Sequence, residues 1–237
     1  MLINPKTIKA IIFDLGGTLL HLSYPFFRES FQRQHQLELQ EDDFFRAVSA
    51  ATDAISRLVE ENKTTNDASR LPIFFEHLLC ALPIPEHLIP DRALYVRDVI
   101  LREHHRDNLW RYLLPDTLDV LQSLQAHYRL AMISNSDGRA EALTIQYGLR
   151  PYLEFVIDSH EVGVEKPDPR IFTIALEKLG LLPSACVYVG DVYSIDVKGA
   201  RAAGMSAILL DRCKSLRDDC TVVHSLSELK RLFLEQV

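Results

Sequence analysis

Short apolar runs rich in Ile, Val and Phe occupy residues 8–13, 128–133, 155–157, 186–189 and 207–210, each bounded by Gly, Asp, Ser or Asn. They do not alternate with polar residues, so each predicts a strand covered on both faces. Between most of them the apolar positions fall at helical spacing, as over 116–126, 139–147 and 169–179. Strands that alternate with helices in this way predict an α/β fold with a doubly wound parallel sheet.

One stretch breaks the rhythm. From about Leu20 to Leu113 the pattern predicts no strand; apolar positions such as Phe44, Val48, Ile55 and Leu58 recur near helical spacing, and Pro83, Pro85 and Pro90 cut the stretch into pieces. The expected organisation is a core of residues 1–20 and 114–237 with a smaller, all-helical cap of residues 21–113. An insert after the first strand lies on the side where α/β sheets bind ligands, which makes it a candidate lid.

Composition narrows the function. At 47% hydrophobic residues the chain has material for a real core, which excludes a mostly disordered protein. The 26 basic and 33 acidic side chains give a net charge of −7, a poor match to a nucleic-acid backbone. No apolar run nears the ~20 residues of a membrane span, and the N-terminal run ends early, at Asp14. Cys80, Cys186, Cys213 and Cys220 form no Cys-x-x-Cys pair, so they read as reduced thiols rather than zinc ligands. A cytoplasmic protein without membrane or nucleic-acid partners is the expectation.

Chemistry-bearing residues gather where the predicted strands end. Asp14 closes the first run and is followed by Leu-Gly16-Gly17-Thr18. Ser134 and Asn135 follow Ile133; their polar groups suit phosphate oxygens, although a helix cap explains them as well. Lys166 precedes Pro167, with Asp168 and Pro169 placed as an N-cap and first helical residue. Asp191 ends the fourth run, and Asp196 is placed to open the next helix. Each cluster alone fits an ordinary turn. Together they bring several carboxylates to one sheet edge, where they repel unless a cation joins them, and an all-oxygen set suits Mg2+. No Gly-x-Ser-x-Gly elbow, P-loop or Gly-x-Gly-x-x-Gly pattern is present.

Asp14-Leu-Gly-Gly-Thr18-Leu, Ile133-Ser134-Asn135, Gly163-Val-Glu-Lys166-Pro-Asp-Pro and Val189-Gly190-Asp191 with Asp196 resemble the four motifs of the haloacid dehalogenase-like hydrolase superfamily. The resemblance covers the core, and the insert resembles that family's cap. It implies a Mg2+-dependent phosphohydrolase acting on a small phosphorylated molecule. Asp14 would be the nucleophile; Asp14, Asp191 and the Gly16 carbonyl would hold Mg2+; Ser134, Asn135 and Lys166 would bind the phosphoryl oxygens. Asp196 would fix Lys166 or a metal-bound water, with Thr18 in support.

The chain departs from the pattern at Gly16. Phosphatases of the family usually carry there a second aspartate, which protonates the leaving group and then activates water. Metal binding through the backbone carbonyl survives; for the acid–base step either water or a cap residue substitutes, or the substrate has a good leaving group, or the protein is a slow or vestigial enzyme. His21 lies close in sequence, and an imidazole can titrate near neutral pH, so it is a candidate to take over that step. Two other readings remain beside hydrolysis of a phosphate ester: a non-catalytic protein that works through partners, and cleavage of a C–X or C–P bond. The C–P route needs a cap amine, and residues 21–113 contain one lysine, Lys63.

Overall fold

Alternate residues of the apolar runs face opposite sides of one sheet. Ile11, Phe13, Leu130, Met132, Val187 and Val189 pack into one core layer, while Ala10, Ile12, Ala131, Ile133 and Tyr188 pack into another. This is the period-2 geometry of strands applied to a sheet buried on both faces. The computed structural model describes residues 3–61, 66–212 and 219–235. Lys63 and Cys213 lie outside the described residues.

Strands form at β1 (Ala10–Phe13), β2 (His21–Leu22), β3 (Trp110–Tyr112), β4 (Arg129–Ser134), β5 (Val156–Asp158), β6 (Cys186–Gly190), β7 (Ser206–Leu210) and β8 (Thr221–Val223). Six of them make one parallel sheet in the order β5-β4-β1-β6-β7-β8. The chain builds one half outward from β1 through β4 and β5. It then returns to the other side of β1 for β6, β7 and β8. The fold is therefore doubly wound α/β, and the strand order reverses beside β1. In such sheets the carboxyl ends at the reversal open the crevice where ligands bind.

Helices cover both faces. Thr117–Gln125 and Leu226–Leu234 bury Val120, Leu121, Leu124, Leu229 and Phe233 in the first layer. Pro169–Leu179 buries Ile171, Phe172, Ala175 and Leu176 in the second. That helix starts as its sequence predicts, with the Asp168 side chain accepting from the Arg170 N–H at 2.9 Å and proline at its first position.

The chain divides into two compact units, Met1–Leu20 with Leu113–Val237, and His21–Tyr112. The second unit has its own core. Helix Glu41–Glu60 buries Phe44, Ala47, Ala51, Ala54 and Ile55, a helical stripe, and packs against helix Asp67–Ala81. Phe27, Phe31, Phe75 and Leu78 complete that core. The unit is helical apart from one ribbon, in which β2 pairs antiparallel with β3. A pair of strands two and three residues long carries too little periodicity to be predicted. The same shortness hides β8, an edge strand with a single fully buried residue.

Asp158 at the end of β5 is a capping residue that the sequence reading does not single out. Its carboxylate, 5% exposed, accepts from the His160 N–H and from the Ala140 N–H, both at 3.0 Å, so it starts two helices at once. Asp158→Ala removes the acceptor of both, and leaves the buried Ala140 N–H without a partner. The expected outcome is a loss of ~1–3 kcal/mol in stability, read by urea denaturation, with the chemistry at the β1 and β6 ends unchanged.

Candidate active site

The side chains of Asp14, Lys166, Asp191 and Asp196 converge at the carboxyl ends of β1 and β6. β1 delivers Asp14, whose backbone N–H is held by the Val189 carbonyl of the neighbouring strand at 2.8 Å. Asp14 is 6% exposed and Lys166 only 3%. The lysine ammonium donates to Asp14 Oδ1 at 2.5 Å, to Asp196 Oδ1 at 2.7 Å and to the Tyr188 hydroxyl at 2.8 Å. Carboxylate oxygens of Asp14, Asp191 and Asp196 all lie within 4.8 Å of one another.

Two glycines make this crowding possible. Gly17 sits at φ +90°, where a β-carbon is strained, and an added Cβ would stand 2.2 Å from Asp191 Oδ2. At Gly190 an added Cβ would stand 2.4 Å from the Asp196 carboxyl carbon. Asp196 lies in the first turn of the helical segment that follows β6, as the sequence suggests. It lies inside the wide turn Tyr193–Val197 and reaches back, its second oxygen accepting from the Val192 N–H at 2.9 Å.

The other predicted positions divide. Ser134 closes β4, is 4% exposed, and its hydroxyl makes a single long bond of 3.4 Å to the Asn135 carbonyl. Asn135 lies beside it and also reaches the lysine loop. Its carboxamide is engaged in both directions with the Lys166 peptide, accepting from the N–H at 2.8 Å and donating to the carbonyl at 3.0 Å. The side chain thus holds the lysine loop, and these bonds use only one of its two amide protons. Thr18 is fully buried, and its hydroxyl has no hydrogen-bond partner among the described residues. His21 belongs to the other unit, buried in the ribbon with its ring edge-on to Phe45. Tyr188 was missed. A tyrosine within the apolar run 186–189 is the signal, because a buried phenol needs a polar partner.

The electrostatics do not balance. Three carboxylates face one ammonium, which leaves two negative charges in a poorly solvated pocket. Burial, only partly offset by Lys166, raises Asp14 from its ordinary 3.8 to about 7. Burial, then the Asp14 and Asp196 charges, raises Asp191 well above the usual range. Lys166 is held well above its usual range, because Asp14 and Asp196 outweigh the opposing effect of burial. Asp191 Oδ1 is buried without a hydrogen-bond partner among the described residues. A divalent cation among these oxygens removes the excess charge and supplies that atom with a partner. The donor set, oxygen only, fits Mg2+.

Comparison with known proteins gives the family. A family profile described as haloacid dehalogenase-like hydrolase matches residues 8–204. The chain belongs to that family and is a hydrolase. The human "Haloacid dehalogenase-like hydrolase domain-containing protein 3" is 29% identical over 95% of this chain and 92% of its own length. The mouse protein of that name is 39% identical over 44% of this chain, and the match spans 43% of the mouse protein. A protein of Methanothermobacter thermautotrophicus named "Glyceraldehyde 3-phosphate phosphatase" is 38% identical over 50% of this chain and 57% of its own length. Among solved structures, the HAD-hydrolase YfnB from Bacillus subtilis, solved bound to magnesium, shares the fold. Its TM-score is 0.67 at 19% identity, over 96% of this chain and 99% of that one.

The charge imbalance has a measurable sign. Between pH ~4 and ~7 the metal-free folded protein keeps a proton on Asp14 that the unfolded chain has lost. Stability therefore falls as pH rises through this window. Thermal unfolding in EDTA is expected to show that fall, and Asp14→Asn to lessen it. Added Mg2+ raises the midpoint at pH 7 by binding the folded state, and Asp191→Asn abolishes that rise.

Proposed function

We propose that this protein is a Mg2+-dependent phosphohydrolase that cleaves a small phosphorylated molecule through an aspartyl-phosphate on Asp14. The observation that carries the reading is the buried contact of Asp14 with Lys166 at 2.5 Å beside two further carboxylates. A capping residue or a buried structural ion pair has no need of the third acid. The archaeal relative with a phosphatase name supports the same reaction class.

In the first step a carboxylate oxygen of Asp14 attacks phosphorus, and the bond from phosphorus to the ester oxygen breaks with its electron pair on the leaving oxygen. In the second, water attacks the same phosphorus, phosphate departs and Asp14 is regenerated. Lys166 and the Ser134 hydroxyl bind the phosphoryl oxygens and oppose the charge that builds on them. Asn135 holds the backbone of Lys166, and Asp196 orients its ammonium. Asp14, Asp191 and the Gly16 carbonyl would hold Mg2+, which supplies positive charge at the phosphoryl group.

Asp14→Asn retains the size of the side chain and removes its anionic oxygen. Turnover of an aryl phosphate is expected to fall to background while circular dichroism shows an unchanged fold.

Gly16 sets the choice of leaving group. With no carboxylate there to donate a proton, an alkoxide leaves poorly, while an aryl oxide or an acyl group needs little help. General acid–base assistance contributes ~10²–10⁴-fold, so wild type is expected to prefer activated phosphates steeply. The glycine with the unusual backbone is Gly17, and Gly16 is not among the residues at positive φ. Gly16→Asp is therefore expected to raise turnover of alkyl phosphates by up to ~10²-fold or more. Wild-type rates that are equal for alkyl and aryl esters, with chemistry rate-limiting, would point to another acid.

A further inference from the structure

Tyr188 is a buried phenol that the reaction as written does not use. It stands at the middle of β6, is fully buried, and accepts the third proton of the Lys166 ammonium at 2.8 Å. Its own proton goes to the Ile133 carbonyl at 3.2 Å. Ile133 directly precedes Ser134, so the phenol ties the lysine head to the strand that carries the serine. The Phe172 ring packs edge-on against the phenol ring at 5.0 Å between centroids.

An ammonium has three protons and no acceptor. Two of the three go to carboxylates, Asp14 and Asp196, and the third goes to this neutral hydroxyl. Without it, a buried ammonium is drawn wholly toward the two acids, and its third proton has no fixed direction. Asn135 secures the lysine backbone at the other end. The head group would then be the loose end of the residue.

We propose that Tyr188 is a positioning residue: its hydroxyl, anchored on the Ile133 carbonyl, sets the placement of the Lys166 ammonium relative to Asp14 and to the phosphoryl group. The proposal uses the phosphohydrolase reading only for its kinetic consequence, since the placement of the ammonium is a property of the resting protein.

The test compares wild type, Tyr188→Phe and Phe172→Leu in the full chain with saturating Mg2+. Tyr188→Phe keeps the ring and removes the hydroxyl; Phe172→Leu loosens the ring packing and keeps the hydroxyl. With an aryl phosphate, Tyr188→Phe is expected to lower kcat about tenfold, the size of one hydrogen bond to a charged group, with KM within about twofold. Phe172→Leu is expected to lower the thermal midpoint and leave kcat within about twofold. In protein labelled with 15N-lysine, the Lys166 ammonium resonance is identified by its loss in Lys166→Arg. It should shift and exchange faster with water in Tyr188→Phe and keep its position in Phe172→Leu. A kcat for Tyr188→Phe within about twofold of wild type overturns the proposal. Should wild type not turn over the aryl phosphate, the phosphohydrolase reading fails by itself, and the resonance decides: unchanged in Tyr188→Phe, it overturns the placement role.

Discussion

Three carboxylates and one lysine share a pocket that water scarcely enters, and the surrounding structure is arranged around that excess of negative charge. Lys166 spends two of its protons on Asp14 and Asp196. Asp191 is left with an oxygen that meets no donor among the described residues. Such an arrangement is costly in a resting protein, because burial penalises each ion and like charges repel. Proteins tolerate such unfavourable sites where function requires them, and the stability that offsets them comes from elsewhere. Here it comes from two apolar layers that sandwich the sheet, with β1 covered on both faces along its whole length.

The sheet determines which side chains can meet. Parallel neighbours in register bring residues that follow β1 and β6 to the same edge, so Asp14 and Asp191 become neighbours although 176 residues separate them in number. The two glycines then shorten the distance further than side chains allow. Gly17 admits Asp191 and Gly190 admits Asp196. The glycines next to the acids therefore act as space rather than as hinges, and a methyl group at either position would displace a carboxylate.

Much of this was legible in the sequence because it depends on local pattern. Five of the six core strands announce themselves as bare apolar runs, and the acids sit where those runs stop. What could not be read depends on partners far away in the chain. The commitment of Asn135 to the Lys166 peptide is set by how two loops fold against each other, and no spacing encodes it. Tyr188 reads as one more apolar residue until its hydroxyl is seen between Lys166 and Ile133. Asp158 reads as a strand-end acid like Asp14, yet both of its oxygens are spent on helix starts. β2, β3 and β8 are too short for periodicity to rise above chance.

The ribbon at the ends of the insert has a consequence for how such chains diversify. β2 and β3 pair through His21 with Tyr112 and Leu22 with Trp110, so the segment leaves and returns across one strand spacing, ~5 Å. Everything between those two points is a closed loop whose ends stay together whatever its length. Residues can be added to or lost from the helices of the insert without changing the gap that the sheet must bridge. The entropic cost of a longer loop grows only slowly with length. The ribbon thus works as a clasp: the insert can vary in sequence and size while its two ends stay paired.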